Sequence, residues 1–150
     1  MVTKPNTSTL TKVSYSATRV GVKTEVAYIQ SVPEFSKAPE GVTYSALDIP
    51  DERMAKGRVK AETMEIEFLF TEEQYDALKA IEKAKTNQFW FIQLPEETAT
   101  TATKPLTWNF EGTIAVGMSE IAIDDMLKSK VTIYRSSTIE ETKGFPTTTV

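Results

Sequence analysis

The sequence contains no cysteine and no histidine. Without thiols there are no disulfides, no thiolate nucleophile and no cysteine ligand for a metal. Without imidazole the commonest general base and zinc ligand is missing as well. A chain without disulfides fits a reducing compartment. Long apolar runs are also absent. The longest, Phe89 to Ile92, has four residues, far short of the ~20 that a membrane-spanning helix needs. The stretch Met1-Val2-Thr3-Lys4-Pro5-Asn6 lacks the apolar centre of a signal peptide. Positive charge is not in excess. Seventeen Lys and Arg stand against 21 Asp and Glu, for a net charge of -4, the wrong balance for a protein that neutralises nucleic-acid phosphates. What is present is ordinary for a folded domain: 150 residues, 40% hydrophobic and 25% charged, enough to bury one core.

Hydrophobic periodicity predicts mostly strands. Val13, Tyr15 and Ala17 alternate with polar neighbours. A second alternating run spans Thr24 to Val32, with Gly21 at a hairpin between the two. The run Met64, Ile66, Phe68, Phe70 separates by parity from Thr63, Glu65 and Glu67. Thr71 then reads as a helix N-cap, with Gln74 completing a capping box. Tyr75, Leu78 and Ile81 make the buried stripe, and Asn87 is the expected terminator. Gln88 to Leu94 is apolar on both faces and is expected to be a central strand. Leu106 to Met118 and Leu127 to Arg135 complete the strands, the first with Trp108, Phe110, Ile114 and Val116 on one face. The core is expected from Met64, Ile66, Phe68, Leu78, Ile81, Phe110, Ile114, Val131 and Ile133. The fold class is therefore mainly β (α+β), an antiparallel β-sandwich or half-barrel with one flanking α-helix.

Three stretches fall outside this pattern. Residues 1–9 read as a loose N-terminal arm. The segment 33–60 is punctuated by prolines and glycines and is too long for a simple connection; it reads as a projecting loop with a short strand at Val42 to Leu47. Its apolar residues Phe35, Val42, Tyr44, Leu47, Ile49 and Met54 would be poorly covered in a monomer. Residues 136–150 read as a Ser/Thr-rich tail that orders only on a partner.

No catalytic constellation emerges. Glu65 and Glu67 lie two apart on one strand face, about 6.6–6.8 Å along it, near the lower end of an inverting glycosidase pair. Such pairs, however, face each other across a cleft in unlike environments. Asp124-Asp125 could touch a divalent ion but has the composition of a turn. Trp90, Trp108, Tyr15 and Tyr28 are either core or the platform of a carbohydrate- or peptide-binding module. The polar face bearing Glu65, Glu67, Asn109, Glu111 and Thr113 is either a plain solvated surface or a wall that keeps a polyanion from sticking.

The order of Val42-Thr43-Tyr44-Ser45-Ala46-Leu47, Glu65-Ile66-Glu67-Phe68, Gln74-Tyr75-Asp76-Ala77-Leu78, Phe89-Trp90-Phe91-Ile92-Gln93-Leu94-Pro95, Trp108-Asn109-Phe110-Glu111-Gly112 and Val131-Thr132-Ile133-Tyr134-Arg135-Ser136-Ser137 resembles the major tail tube proteins of long-tailed bacteriophages. That family is similar in turn to the tube proteins of contractile tails and type VI secretion. The resemblance spans about Val26 to Ser137 and rests on order and spacing. It implies a single non-enzymatic tube domain with no cofactor, in hexameric rings that join their sheets into one inner barrel. It implies rings stacked through the long loop, with Tyr44, Leu47, Ile49 and Met54 buried by a neighbour. Glu65, Glu67, Asn109, Glu111 and Thr113 would face the lumen, through which DNA passes at ejection without specific binding. The implied partners are further copies of the chain and the tape-measure, tail-tip and terminator proteins, with no membrane. The implied location is the virion tail, assembled in the host cytoplasm.

Overall fold

A computed structural model describes residues 11–35, 37–95 and 105–146. Ten strands and one helix follow in the order β1 (Lys12–Ser16), β2 (Thr24–Val26), β3 (Ile29–Ser31), β4 (Gly41–Tyr44), β5 (Arg53–Lys56), β6 (Met64–Leu69), α1 (Glu72–Ala84), β7 (Gln88–Gln93), β8 (Leu106–Met118), β9 (Lys128–Arg135) and β10 (Glu140–Lys143). The main sheet has the order β2-β1-β7-β8-β9-β6-β3, and β10 also pairs with β8. Every pairing is antiparallel. The result is a half-barrel with a single helix.

β8 is the spine. One edge pairs with β7 from Thr107 to Gly112; the other pairs first with β10 and then with β9 from Gly112 to Met118. The changeover falls at Gly112. A Cβ there would meet the Tyr134 carbonyl oxygen at 2.7 Å, so only glycine lets the strands approach. Parity sends Phe110, Ile114 and Val116 inward to meet Met64, Ile66, Phe68, Val131, Ile133, Trp90, Ile92 and Leu78. Of the nine core residues expected from periodicity, eight are buried, and Ile81 is half-buried against the cluster.

The two ends of the strand order, β2 and β3, are consecutive in the chain, with only Ala27 and Tyr28 between them. The periodic run 24–32 is thus a broken strand rather than a continuous one. Its two halves pair with opposite ends of the sheet and bend the sheet round. Val26 is buried, whereas Tyr28 is exposed at φ 58°, a left-handed conformation that costs a non-glycine residue about 1–2 kcal/mol. Gln74 holds this corner. Its amide oxygen accepts the Ala27 N–H at 2.9 Å, and its amide nitrogen donates to the Ala27 carbonyl at 3.3 Å. Leu69 N–H bonds the Tyr28 carbonyl at 3.0 Å. The expected capping box is therefore absent. Thr71 makes no side-chain cap bond, and the Gln74 side chain, which would supply the reciprocal bond, is committed to the corner.

Other departures from the sequence reading have equally local causes. The helix ends at Lys85, at φ 55°, and not at Asn87. Ala17 lies beyond β1 and is exposed. The segment after β9 is no free tail as far as Pro146. Glu140–Lys143 adds β10 to the start of β8, and Phe145 meets Phe91 edge-on at 5.6 Å. Lys23 stands 4.7 Å from the Phe91 ring centroid and donates to the Arg19 and Gly21 carbonyls. This second small layer covers the reverse face of β1, β7 and the start of β8. The expected arm at 1–9 lies outside the described residues.

Chemical denaturation separates these roles. Phe68→Ala, at a fully buried site, is expected to cost about 3–5 kcal/mol. Gln74→Ala should cost about 1–2 kcal/mol, for two lost hydrogen bonds. Leu47→Ala, fully exposed, should stay within about 0.5 kcal/mol. A Gln74→Ala midpoint equal to wild type would show that the corner does not depend on the amide.

Candidate assembly surfaces

The polar face of β6, β9 and the second half of β8 carries most of the carboxylates singled out in the sequence. Glu65 lies opposite Thr132, and Glu67 opposite Lys130; Thr113 lies opposite Tyr134. Glu65 is exposed, while Glu67, Glu111 and Thr113 are half-buried. Asn109 shares the parity but not the exposure. It is 3% exposed, in the stretch of β8 that is paired with β7 on one edge and β10 on the other, so it does not belong to the open surface. Its Nδ2 has no hydrogen-bond partner among the described residues.

The carboxylate bias is weaker in three dimensions than along single strands. Strand pairing brings Lys128 and Lys130 onto the same face, and Lys128 approaches Glu67 at 3.9 Å. Glu67 also accepts from the Ser119 hydroxyl at 3.2 Å. The signal missed in sequence was cross-strand register, which places Lys130 against Glu67. Glu65 and Glu67 sit side by side on this open face, not across a cleft as paired catalytic acids would. Asp125 accepts the Met126 N–H at 2.9 Å and so acts within its own turn.

The aromatic platform is not formed by its four candidates. Trp90 and Tyr15 are buried and touch each other, with ring centroids 5.3 Å apart. Trp108 is half-buried under Phe35, at 5.1 Å. Tyr28 alone is open to solvent, at the corner.

The long segment is a β-hairpin and not an irregular loop. β4 and β5 pair with each other alone, from Gly41↔Lys56 to Tyr44↔Arg53, and all eight strand residues are exposed. Val42, Tyr44, Leu47 and Met54 are uncovered; Ile49 is partly covered in the turn, where its N–H bonds the Ala46 carbonyl at 3.0 Å. Its root is fastened to the body. Phe35 packs on Trp108 and the core. Lys37 pairs with Glu62 and Lys60 with Glu40, and Arg135 reaches the Lys60 carbonyl. Phe35 is therefore covered within the monomer, contrary to expectation, and the uncovered apolar surface begins beyond the root. A lone two-stranded hairpin is marginal in water.

A second uncovered apolar surface was not singled out in the sequence. The β8–β9 connection exposes Ile121, Ile123 and Met126. Ser119 N–H bonds the Lys128 carbonyl at 2.9 Å and closes its base.

Among the described residues, β8 has no strand partner on its β7 side beyond Gly112. The helix seals that edge instead. Val116 N–H points to the Glu82 carboxylate at 3.4 Å, and the Lys79 ammonium donates to the Val116 carbonyl at 3.1 Å. Lys79 and Glu82 pair with each other at 2.9 Å. An open strand edge invites another chain, and this pair blunts it. The Lys79 hydrogen bond is the largest cause that holds the Glu82 carboxyl below its ordinary value of 4.5, and the Val116 N–H adds to it. Any stability that Glu82 contributes is therefore complete above its unfolded value and is lost as the pH falls through the lower folded value. Protection of the Val116 amide in hydrogen exchange should be higher in wild type than in Glu82→Gln at neutral pH. The two should converge only in acid, once the pH has fallen through the lowered folded value of Glu82, which lies below the ordinary 4.5. Equal protection at pH 7 would refute the seal.

No protein-family model and no curated protein sequence matches the chain. Among solved structures, it is similar to a chain in the PVC sheath/tube terminator of an extracellular contractile injection system, in the extended state. The TM-score is 0.69 at 12% identity, over 95% of this chain and 99% of that one. It is also similar to a chain in the baseplate of the anti-feeding prophage, with TM-score 0.67 at 12% identity, over 95% and 98%. The chain thus has the fold of components of contractile injection systems, from end to end of those chains.

Proposed function

We propose that this chain is a structural, non-enzymatic subunit of a tail tube. Its copies would form hexameric rings, stacked through the β4–β5 hairpin around a channel that conducts DNA at ejection. The observation that carries the reading is the hairpin. It is fastened at its root, stands off the body as a separate two-stranded sheet, and exposes Val42, Tyr44, Leu47 and Met54. Surface of this kind is built to be covered. The fold, shared over nearly the whole chain with components of contractile injection systems, supports the same reading. Those neighbours also favour a tube of a contractile or injection-type machine over that of a long non-contractile tail.

In this reading Glu65, Glu67, Glu111 and Thr113 line the lumen. Glu67 holds Lys128, so Glu65, Glu67 and Glu111 stand against Lys130 as the cation of this wall without an ion pair among the described residues, and carboxylates outnumber the groups that could grip a polyanion. Rings form by heterologous contacts between copies, which also remove open edges. The partners are other copies, the tape-measure, tail-tip and terminator proteins, and the location is the virion tail, assembled in the host cytoplasm.

Negative-stain electron microscopy of concentrated purified protein should show rings or hollow tubes. Deleting Gly41–Lys56 in favour of a short Gly/Ser link should leave the circular dichroism spectrum of a folded domain but no tubes. Wild-type protein that stays monomeric at every concentration and salt tried would overturn the tube reading. Normal tubes from the deleted form would overturn the role of the hairpin.

A further inference from the structure

Four strands lie side by side as one piece of the sheet: β3, β6, β9 and the second half of β8, Gly112 to Met118. The piece has two lateral edges. β3 ends the strand order, so its outer edge has no strand partner among the described residues, and Gln30 and Ser31 there are exposed. The other edge is β8 beyond Gly112, on the side where the pairing with β7 has ended.

Along an antiparallel strand the main-chain groups turn alternately to one neighbour and the other. The Glu111 carbonyl faces the β9 side, where it accepts the Ser136 N–H. Val116 turns both its groups the opposite way, to the helix. Ile114, Val116 and Met118 therefore present N–H and C=O to the uncovered side of β8. At Val116 side chains fill the vacant slot. The Glu82 Oε2 stands where a neighbouring strand would place a carbonyl, and the Lys79 Nζ where it would place an N–H. The same Oε2 holds that ammonium at 2.9 Å. The two side chains imitate one residue of an absent strand. They remain 34% and 29% exposed, whereas Leu78, which fixes the helix to the core, is fully buried.

We infer that the Lys79–Glu82 pair is an autoinhibitory contact, which keeps β3 of a second copy off the β8 edge until the two side chains are displaced. The inference rests on the tube reading, in which copies join through heterologous contacts, and adds a control on that joining. Strand sense fits it. β8, β9, β6 and β3 alternate in direction, so the β3 edge of one copy meets the β8 edge of the next as an antiparallel pair. The two edges are unlike, and such a contact repeats from copy to copy round a ring. On displacement Val116 exchanges two side-chain bonds for main-chain ones, while Lys79 and Glu82 keep their mutual pair on the helix. A subunit whose edge is mostly shut assembles at higher concentration, because apparent affinity falls with the open fraction.

Removing the pair tests it. Lys79→Ala/Glu82→Ala keeps strong helix formers at both positions. Its threshold concentration for rings or tubes, read by sedimentation and electron microscopy, should fall ~10-fold below wild type, the ratio for an edge shut about nine-tenths of the time. Glu82→Gln should move the threshold the same way by less. The Val116 amide should exchange faster in the free double variant than in free wild type, and slowly again once that variant has assembled. Circular dichroism checks that each variant folds. A threshold in both variants equal to or above that of wild type would overturn the lock and leave the tube reading standing. A Val116 amide that still exchanges fast in the assembled variant would overturn the β8 edge as the joint. Wild type and variants that all stay monomeric would overturn the tube reading, and this inference with it.

Discussion

The architecture depends on a corner. The eight-stranded sheet holds its curvature because the two end strands of its seven-strand path are halves of one segment, Thr24–Ser31. That segment must turn sharply at Ala27 and Tyr28, and Tyr28 does so in a conformation it would not choose alone. The Gln74 amide bonds both backbone groups of Ala27, and Leu69 bonds the Tyr28 carbonyl. Strain of this sort persists when neighbours over-determine it. Once the corner is set, β6 and β9 face β7 and β1 across a shared core, and α1 is fixed by the residue that clamps the turn.

From that closure follows the distribution of edges and uncovered surface. The exposed length of β8 beyond Gly112 is sealed by Lys79 and Glu82. The reverse face near Phe91 is covered by Phe145 and Lys23. These are protective devices, and they sharpen the contrast with what is left open. The hairpin and the β8–β9 loop keep apolar side chains in solvent at opposite ends of the strands. The same molecule thus blunts one strand edge and leaves apolar surface bare at two opposite ends.

Periodicity made much of this readable in advance. The strands β6, β7, β8 and β9, the helix and eight of nine core positions follow from alternation and a 3.6-residue stripe. The candidate surface was less readable. Tyr44, Leu47 and Met54 were visible as apolar residues in a polar stretch, yet nothing local separated them from Phe35, which finds Trp108 across the fold. The bias of Glu65 and Glu67 looked stronger than it is, because Lys128 and Lys130 join that face only through register. Asn109 has the right parity and the wrong neighbours: β10 lies against it. Thr71 and Gln74 had the spacing of a capping box, but a glutamine side chain takes whichever backbone groups the tertiary fold brings nearest.

The local pattern by itself determined the strands β6 to β9, the helix and the side that each turns to the core, because burial acts on every turn and every alternate residue independently of the rest. The chain's lack of thiols and imidazoles also set aside whole classes of chemistry before any folding was considered. Only the tertiary structure decided the bend at Tyr28, the strand at Glu140–Lys143, the sealing of β8 and the separation of the two bare poles. Each of these depends on partners many residues away, and strand register, a property of pairs, is not written in either strand alone.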